Sequence, residues 1–482
     1  MARRSHRLWN EDLRPSTLRP WGTYSITSIW FACMHNLGVY TAAAGFLLLG
    51  LPAWQALVGV FIGLLILWGA TQLMAEPGHR YGIPLPVIAR ASFGVFGANF
   101  PALIRSVAAV AWYGIQTFLA SHAVMIIVLL AFPSGETALG RWNFAGLSLL
   151  GWLCFLFTWG LQLFIAEHGM ETIRLVQNWA GAVVSVVMIV MAAALTFQVD
   201  GAVDWSFGSA GLEIRSTLLV ILQIAMAMCV VHAPMVLNFC DFTRFAPRAR
   251  DVARANLYGL PVNGLIFAVT VVAVTTAGYR LFGVFIAEPT QILERTSNRW
   301  VVGIGALLFF AATLGVNIVA NLVSPAFNFA NVAPSRISFR KGALIASVLA
   351  IAVMPWKIFN SPATINYFLG TLGAMLGPLL GVIVADYYIL RRRILRVDDL
   401  YTEDSNAIYH YSFGYNWRAF VAAAAGMVVA VPVSVIPLIP GWASLGWYVG
   451  VALGATLYIG LSRNNKAAIV EIQALEVSLP RQ

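Results

Sequence analysis

The sequence has few charged residues: Asp, Glu, Lys and Arg make up 10% of its 482 residues, whereas hydrophobic residues make up 60%. Soluble domains carry roughly 25% charged residues, so this scarcity excludes an ordinary soluble protein and indicates an integral membrane protein. Cysteines are also rare, since the chain has four, and none has a partner at metal-ligand spacing. Disulfides, a metal site and a bound cofactor are therefore not expected.

The residue patterns of a membrane enzyme are missing as well. The sequence contains no HExxH motif, no paired carboxylates inside an apolar run and no serine–histidine arrangement. No soluble domain is inserted between the apolar runs. The net charge of +10 therefore does not indicate nucleic-acid binding, because the chain has no soluble domain that could bind it. We attribute that charge to membrane topology and anionic headgroups, which makes lipid an expected partner.

Apolar runs of membrane-spanning length are abundant. A transmembrane helix needs about 20 predominantly apolar residues. Twelve predicted spans meet this requirement, at residues 25–49, 53–74, 102–132, 145–166, 175–197, 216–240, 257–282, 300–328, 342–358, 364–390, 417–438 and 443–462. With the N-terminus inside, all but six of the 30 Lys and Arg lie within or beside the inner segments. The positive-inside rule therefore predicts a multi-pass cell-membrane protein with both termini cytoplasmic.

Two of the spans are interrupted by polar or helix-breaking residues. The first contains His35 and Asn36, and the sixth contains His232, Ala233 and Pro234. Backbone groups freed by unwinding cannot face lipid, so they must line a protected cavity. A kink explains either break taken singly. Two matched breaks, each with a histidine, instead favour the binding site of a secondary transporter.

The matched breaks divide the chain into two units of five spans. An odd number of helices per unit gives consecutive units opposite membrane orientations, so the predicted fold is an all-α, 12-helix inverted repeat with two additional C-terminal helices. The predicted segments are an N-terminal cytoplasmic segment (1–24), two repeats (25–197 and 216–390), a cytoplasmic loop (391–416), the last two helices (417–462) and a cytoplasmic tail (463–482).

Polar and aromatic side chains inside the first, third, sixth and eighth spans are candidates for the binding site, because intramembrane polar groups are costly. The candidates are His35, Asn36, Trp112, Gln116, His232, Asn238, Asp241, Asn317 and Asn321. Amide groups match the paired donors and acceptors of a ureide or pyrimidine edge, and an indole stacks on a flat ring. With no Arg or Lys near the middle of these spans, the set favours an uncharged heterocycle over carboxylate or phosphate substrates.

Each candidate could also have a purely structural role. Asn317 and Asn321 could hydrogen-bond between helices, and Trp112 could simply pack in the core. His35 and His232 could carry a proton near neutral pH or could remain neutral hydrogen-bonding groups. Asp241 is expected to be a structural partner or gate element. The joint occurrence of these residues on four spans favours a site. An amino-acid or amine carrier is the alternative, and it would need a charged site that the sequence does not offer.

Seven strings around these residues resemble the nucleobase:cation symporter-1 family, whose members carry cytosine, uracil, purines, allantoin, hydantoins and related vitamins. The strings are SIWFACMHNLGVYTAAAGF, RYGIPLPVIARASFGVFGANFPALIRS, AWYGIQTF, CDFTRF, NIVANLVSPA, MPWKIF and LGPLLGVIVADYYILRRRILRVDDLY. The similarity runs from about residue 20 to 460, and the MHN sequence of the first break resembles bacterial allantoin permeases. The resemblance implies a LeuT-type fold with alternating access, and import of an allantoin-like or nucleobase-like heterocycle.

The resemblance also implies roles for particular residues. The family's substrate positions correspond to Asn36, Trp112, Gln116 and Asn321, and its second stacking aromatic corresponds to His232. An imidazole can still stack, although less strongly, and it adds hydrogen-bonding capacity. The substrate choice therefore stays open between allantoin and related heterocycles.

A cation site is implied by the resemblance too, but this chain departs from it. Sodium-coupled members hold Na⁺ with carbonyls of the first span, here Ala32 and His35, and with groups of the eighth span, here Ala312, Gly315 and Val316. The family's hydroxyls are missing at these eighth-span positions, and a hard cation needs several oxygen ligands. The sequence therefore weakens the expectation of Na⁺ coupling and favours proton coupling or facilitated uptake. His35 and His232 are the possible proton carriers, and H⁺ is favoured over Na⁺ as a coupling ion.

Overall fold

The apolar runs form helices throughout the part of the chain that the computed structural model describes, which comprises residues 5–134, 139–288, 291–292, 295, 298–359, 362–436 and 442–463. Ten of these helices are long and apolar enough to cross a membrane. Parts of five predicted segments lie outside the described residues, namely 1–4, 135–138, 289–290, 293–294, 296–297, 360–361, 437–441 and 464–482.

The first half of the described chain contains seven helices and one short hairpin. In chain order the elements are α1 (Thr23–Met34), α2 (Leu37–Phe46), α3 (Ala53–Tyr81), α4 (Leu85–Phe93), α5 (Asn99–Ala131), β1 (Asn143–Phe144), β2 (Leu147–Ser148), α6 (Leu149–Glu167) and α7 (Met170–Phe197). The two strands pair antiparallel, with Asn143 opposite Ser148.

The second half consists of helices, three of which contain or end in a wide π-helical turn. The elements are α8 (Ile214–Val231), α9 (Ala233–Asn238), α10 (Cys240–Thr243), α11 (Ala249–Leu257), a π turn (Tyr258–Val262), α12 (Asn263–Phe282), α13 (Arg299–Asn317), a π turn (Ile318–Leu322), α14 (Val323–Val332), α15 (Phe339–Ala352), α16 (Pro355–Phe359), α17 (Pro362–Val384), a π turn (Ala385–Leu390), a 3₁₀ turn (Val397–Tyr401), α18 (Trp417–Val435) and α19 (Leu445–Ser462).

Two of the twelve predicted spans do not appear among the ten long apolar helices. The first is divided between α1 and α2, and the ninth corresponds to α15, which has 14 residues. Helix α4, which follows the end of α3 at Tyr81, is not predicted from the sequence, because its apolar run is too short to be a span. The remaining predicted spans agree with helices, with ends that differ by several residues.

Both breaks occur where the polar residues predict them. Helix α1 ends at Met34, and Asn36 caps the start of α2, with its side-chain oxygen accepting from the Val39 backbone N–H. Helix α8 ends at Val231, His232 lies between the helices, and α9 carries Pro234 at its start. Proline suits the first turn of a helix, where its missing N–H has no intrahelical partner to lose.

Buried arginines tie the N-terminal segment to the ends of the helices. Arg90 of α4 donates to the carbonyls of Leu8 and Leu400, and Arg244, just after α10, donates to those of Asp12 and Arg14. Burial lowers the pKa of Arg90 to about 10, so the side chain stays charged at neutral pH. The described residues of the N-terminal segment, 5–24, are thus packed against the helix bundle.

Candidate functional site

Both helix breaks open onto one cavity of about 540 Å³. The wall opposite the breaks comes from α5 and from the region where α13 passes into its π turn, and α17, α18 and α19 contribute further lining residues. Six of the residues singled out from the sequence line this cavity: Asn36, Trp112, Gln116, His232, Val316 and Asn321. A cavity of this size is typical of small-molecule sites.

The aromatic and amide groups of α5 lie one turn apart on the cavity side. Trp112 is half-buried, and its indole faces Gly38 at the start of α2. Gln116 is 8% exposed, and its side-chain oxygen has no hydrogen-bond partner among the described residues. A buried amide oxygen without a partner is costly. Gln116 therefore offers the cavity a hydrogen-bonding group that is available to a solute.

The side-chain amide of Asn36 already forms hydrogen bonds with backbone groups on both sides of the break. Its nitrogen donates to the Cys33 carbonyl at 2.6 Å, and its oxygen accepts from the Val39 N–H at 3.1 Å. These bonds satisfy one backbone group on each side of the break. Asn36 therefore shapes the cavity wall, and any bond to a solute would be additional to this role.

Of the two predicted asparagines on α13 and its π turn, one lines the cavity and the other lies behind it. The Asn321 nitrogen donates to the Asn317 oxygen at 3.0 Å. The Asn317 nitrogen lies within hydrogen-bonding distance of the Tyr113 carbonyl, the Thr117 hydroxyl and the Gln162 oxygen. Asn317 thus orients Asn321 and does not line the cavity. Gln162 of α6 is not among the predicted residues, although a glutamine inside a predicted span could have suggested it.

The two histidines have different surroundings. His232 lines the cavity, and its Nδ1 lies 3.2 Å from the Met228 carbonyl, so the neutral ring donates there and keeps Nε2 as its acceptor. His35 does not line the cavity: its Nε2 lies 3.3 Å from the Asn263 oxygen, and its ring packs edge-on against Phe267. Only His232 is placed to touch a solute in this cavity.

Arg105 lies near the start of α5, so the expectation that no arginine lies near the middle of the third span is not contradicted. The structure begins α5 at Asn99, so Arg105 is inside the helix and fully buried. Its guanidinium donates to the Pro234 carbonyl, the Asn238 oxygen and the Ala320 carbonyl. Arg105 does not line the cavity, so the inference against anionic substrates does not depend on it.

The Asp241 side chain of α10 bonds the backbone at the start of α4. Its Oδ1 accepts from the Leu85 backbone N–H at 2.7 Å, which caps the start of α4. The Arg244 side chain bonds backbone carbonyls instead, so the two side chains do not form an ion pair with each other among the contacts described. Asp241 lies outside the cavity lining.

The predicted cation positions lie where α1, α7 and α13 meet. Ala32 and Ala312 are buried, Val316 lines the cavity, and Gly315 faces α7. A Cβ atom added at Gly315 would lie 2.5 Å from the Ala180 Cβ. The α13 backbone can approach α7 this closely only because Gly315 has no side chain.

Sequence comparisons identify relatives along nearly the whole chain. Residues 15–450 match a family model described as permease for cytosine/purines, uracil, thiamine and allantoin. An allantoin permease of Bacillus subtilis (strain 168) is 37% identical over 484 residues, which cover 99% of this chain and 98% of that protein. A purine-uracil permease of Arabidopsis thaliana is 32% identical over 441 residues, which cover 88% of this chain and 71% of that protein.

A solved structure shares the fold. It is a nucleobase-cation-symport-1 family transporter in a closed conformation with bromovinylhydantoin bound, and it superposes with a TM-score of 0.77 at 22% identity. The match covers 95% of each chain. This likeness confirms the helical transporter fold expected from the sequence.

Proposed function

Because this chain belongs to the family of permeases for cytosine, purines, uracil, thiamine and allantoin, we propose that it imports a small uncharged heterocycle by alternating access. Its relatives are permeases and not enzymes. The observation that carries the proposal is the meeting of both helix breaks in one cavity with Trp112, Gln116, His232 and Asn321. A flat ring would stack on Trp112 while its edge bonds the amides and the imidazole.

Allantoin is the substrate that we place first. The Bacillus subtilis relative is named an allantoin permease, and it is similar to this chain from end to end. Allantoin carries several amide-type donors and acceptors, which suits the mixture of amide groups and one imidazole in the cavity. Hydantoins and nucleobases share a flat ring with an amide edge, so they are the other solutes to be tested.

The proposed architecture has twelve spans, arranged as a five-plus-five inverted repeat with two further helices and with both termini cytoplasmic. It is supported by the ten long apolar helices, by the α1–α2 pair and α15 at the two remaining predicted spans, and by the matched breaks. The distribution of Lys and Arg supports the orientation.

We propose that import is coupled to a cation, with H⁺ favoured over Na⁺. Helix α13 offers no side-chain hydroxyl at Ala312, Gly315 or Val316, and Gly315 has no room for one. A site that lacks these oxygens is a poorer match for a hard cation that takes many ligands.

Uptake into proteoliposomes tests this function. Labelled allantoin, hydantoin, uracil, cytosine and hypoxanthine are supplied with an inward proton gradient, an inward Na⁺ gradient or neither, and leucine serves as the control for an amino-acid carrier. We expect saturable uptake of at least one heterocycle. The Gln116→Ala variant should lose about 5- to 150-fold in substrate affinity, because the solute would lose a buried hydrogen bond of roughly 1–3 kcal/mol. Uptake of no heterocycle above protein-free liposomes would contradict the proposal.

A further inference from the structure

Beyond the helix breaks the cavity continues into a side lobe, which is lined by Val230, Gly370, Gly373, Ser434, Ser444 and Trp447. Val230 lies two residues before His232 on α8, and a Cβ atom added at Gly373 of α17 would be 3.6 Å from its Cγ1 atom. Gly370 lies three residues earlier on the same face of α17, and it borders Ser434 of α18. The side lobe therefore begins beside the second break and leads to the last two helices.

Trp447 of α19 gives the side lobe a buried hydrogen-bond donor. The residue is 4% exposed, and its indole nitrogen has no hydrogen-bond partner among the residues that the structure describes. Close packing fixes its position, because a Cβ atom added at Gly377 of α17 would be 2.4 Å from the Trp447 backbone oxygen, and the indole packs edge-on against Tyr448. An indole N–H can only donate, and a buried donor without a partner is costly. The side lobe therefore suits a ligand that carries a hydrogen-bond acceptor.

Two serine hydroxyls complete the polar groups of the side lobe. Ser444 lies three residues before Trp447, about one helical turn away, and its side chain forms no capping hydrogen bond to α19. Ser434 donates its hydroxyl hydrogen to the Ala443 carbonyl at 2.7 Å, so its oxygen can still accept. The residues that line the side lobe are all uncharged. They offer an N–H to a carbonyl oxygen and hydroxyl oxygens to neighbouring N–H groups, which suits a neutral amide or urea.

We propose that the side lobe binds a urea-type substituent of the heterocycle, and that Trp447 and Ser444 select solutes that carry this substituent. The proposal rests on the proposed function, since it concerns the solute whose ring lies at the helix breaks. In a urea group a carbonyl lies between two nitrogens that carry hydrogen. The carbonyl oxygen accepts from the Trp447 indole, while a neighbouring N–H donates to the Ser444 hydroxyl. Allantoin is a hydantoin ring with such a ureido substituent.

The size of the cavity agrees with a ring that carries a substituent. A volume of about 540 Å³ lies in the range of sites that enclose drug-sized ligands, so a bare five-membered ring would fill only part of it. Trp112, Gln116 and His232 would hold the ring, and the side lobe would hold the substituent. Helices α18 and α19 follow the proposed inverted repeat, and the side lobe gives these two helices a part in substrate selection.

Allantoin and hydantoin test the side lobe as a pair, because they differ by the ureido substituent. Their dissociation constants are measured by isothermal titration calorimetry on the purified full-length protein. Trp447→Phe keeps an aromatic ring but removes the N–H, and Ser444→Ala removes a hydroxyl from a half-buried position. The control is Trp68→Phe on α3, because the Trp68 indole nitrogen is also buried without a partner among the described residues, but Trp68 does not line the cavity.

We expect the wild-type protein to bind allantoin more tightly than hydantoin, and we expect this preference to depend on the side lobe. Trp447→Phe should weaken allantoin binding about 5-fold or more, because the urea carbonyl loses a buried donor, and should change hydantoin binding by less than about 2-fold. Ser444→Ala should weaken allantoin binding by about 2- to 10-fold, since water can partly replace a half-buried hydroxyl. Trp68→Phe should leave both dissociation constants unchanged.

Equal weakening of both ligands in Trp447→Phe would overturn the proposal, because Trp447 would then act on the ring site or on the fold. Unchanged binding of both would overturn it too, and the side lobe would be a water-filled passage to the breaks. If Trp447→Phe does not fold, Ser444→Ala decides, since an unaltered preference for allantoin in that variant contradicts the proposal.

The wild-type protein separates this proposal from the proposed function. Equal affinity for allantoin and hydantoin would rule out a selective side lobe and leave transport of a heterocycle intact. The proposed function fails in a different measurement, in which the wild-type protein takes up no heterocycle into proteoliposomes under any gradient.

Discussion

At the break between α1 and α2, the Asn36 side chain bonds the chain on both sides of the interruption, whereas at the break between α8 and α9 the Pro234 carbonyl is bonded by Arg105 from α5. The first break is thus held by a residue of the break itself. At the second break His232 also bonds the Met228 carbonyl, but a separate helix adds the Arg105 contact. The two arrangements solve the same problem, since unwinding leaves backbone groups that cannot face lipid.

This difference links the second break to the substrate site. Helix α5 carries Arg105 near its start and Trp112 and Gln116 two to three turns later. Arg105 also bonds the Ala320 carbonyl in the π turn that carries Asn321. A movement of α5 would therefore disturb the second break and three cavity residues together, whereas the first break has its own cap.

The largest effect should come from removing the arginine that holds the second break. Arg105→Met leaves the Pro234 and Ala320 carbonyls and the Asn238 oxygen without their donor. Each unpaired buried group costs about 1–3 kcal/mol, so we expect a loss of roughly 3 kcal/mol or more of stability, and little folded protein. Thermal unfolding in detergent measures this effect.

The control for Arg105 is Arg254→Gln, since Arg254 is exposed on α11. It should unfold at the wild-type temperature. If Arg105→Met also unfolded at the wild-type temperature, the second break would not depend on α5, and the contrast between the two breaks would be wrong.

A smaller loss is expected at the first break. Asn36→Ala removes the helix cap of α2, which is worth about 0.5–2 kcal/mol. Asn36→Ser keeps a side-chain oxygen for the Val39 N–H but lacks the amide. We expect serine to restore most of the thermal stability without restoring substrate affinity. Equal recovery of both would mean that Asn36 serves only as a cap.

Trp112 tests the cavity wall that α5 supplies. Trp112→Phe keeps a smaller aromatic face, whereas Trp112→Ala removes it. Stacking contributes about 0.5–1.5 kcal/mol beyond area burial, so alanine should weaken substrate binding by at least roughly 2- to 10-fold and phenylalanine should weaken it less. Substrate affinity from uptake kinetics gives the comparison. Equal losses would indicate a packing role or a role of the indole N–H.

The breaks themselves could be predicted from sequence, because histidine, asparagine and proline together inside an apolar run interrupt a membrane helix and leave backbone groups that need a protected cavity. The positions of Trp112 and Gln116 on one face followed from helical periodicity. The partners of these residues could not be predicted. Whether the Asn36 amide faces a solute or its own backbone depends on how the chain turns at the break, and that turn is set by tertiary packing.

Two further residues show what depends on packing between distant helices. Arg105 lies close to the start of an apolar run, so the apolar pattern places it at the edge of a span. Its burial comes from packing against Pro234 and Ala320, which are distant in sequence. Gln177 is one polar residue among others near the start of α7. Its amide nitrogen donates to the Ser28 carbonyl and its oxygen lies close to Gly315, residues that are distant in sequence and become its neighbours only when the helices pack.

The two histidines offer the finest comparison of the breaks, because each lies at one of them and only His232 lines the cavity. His232→Gln keeps hydrogen-bonding capacity but cannot titrate, so it should reduce the dependence of uptake on pH more than it reduces substrate binding. His35→Gln is the matched variant, and because His35 bonds Asn263 away from the cavity, it should keep the wild-type pH profile. Uptake measured from about pH 5.5 to 8, with Na⁺ replaced by choline, separates these outcomes. If the pH profile of uptake were flattened in His35→Gln and unchanged in His232→Gln, the proton would be assigned to the first break. If uptake stopped without Na⁺, the proton would not be the coupling ion.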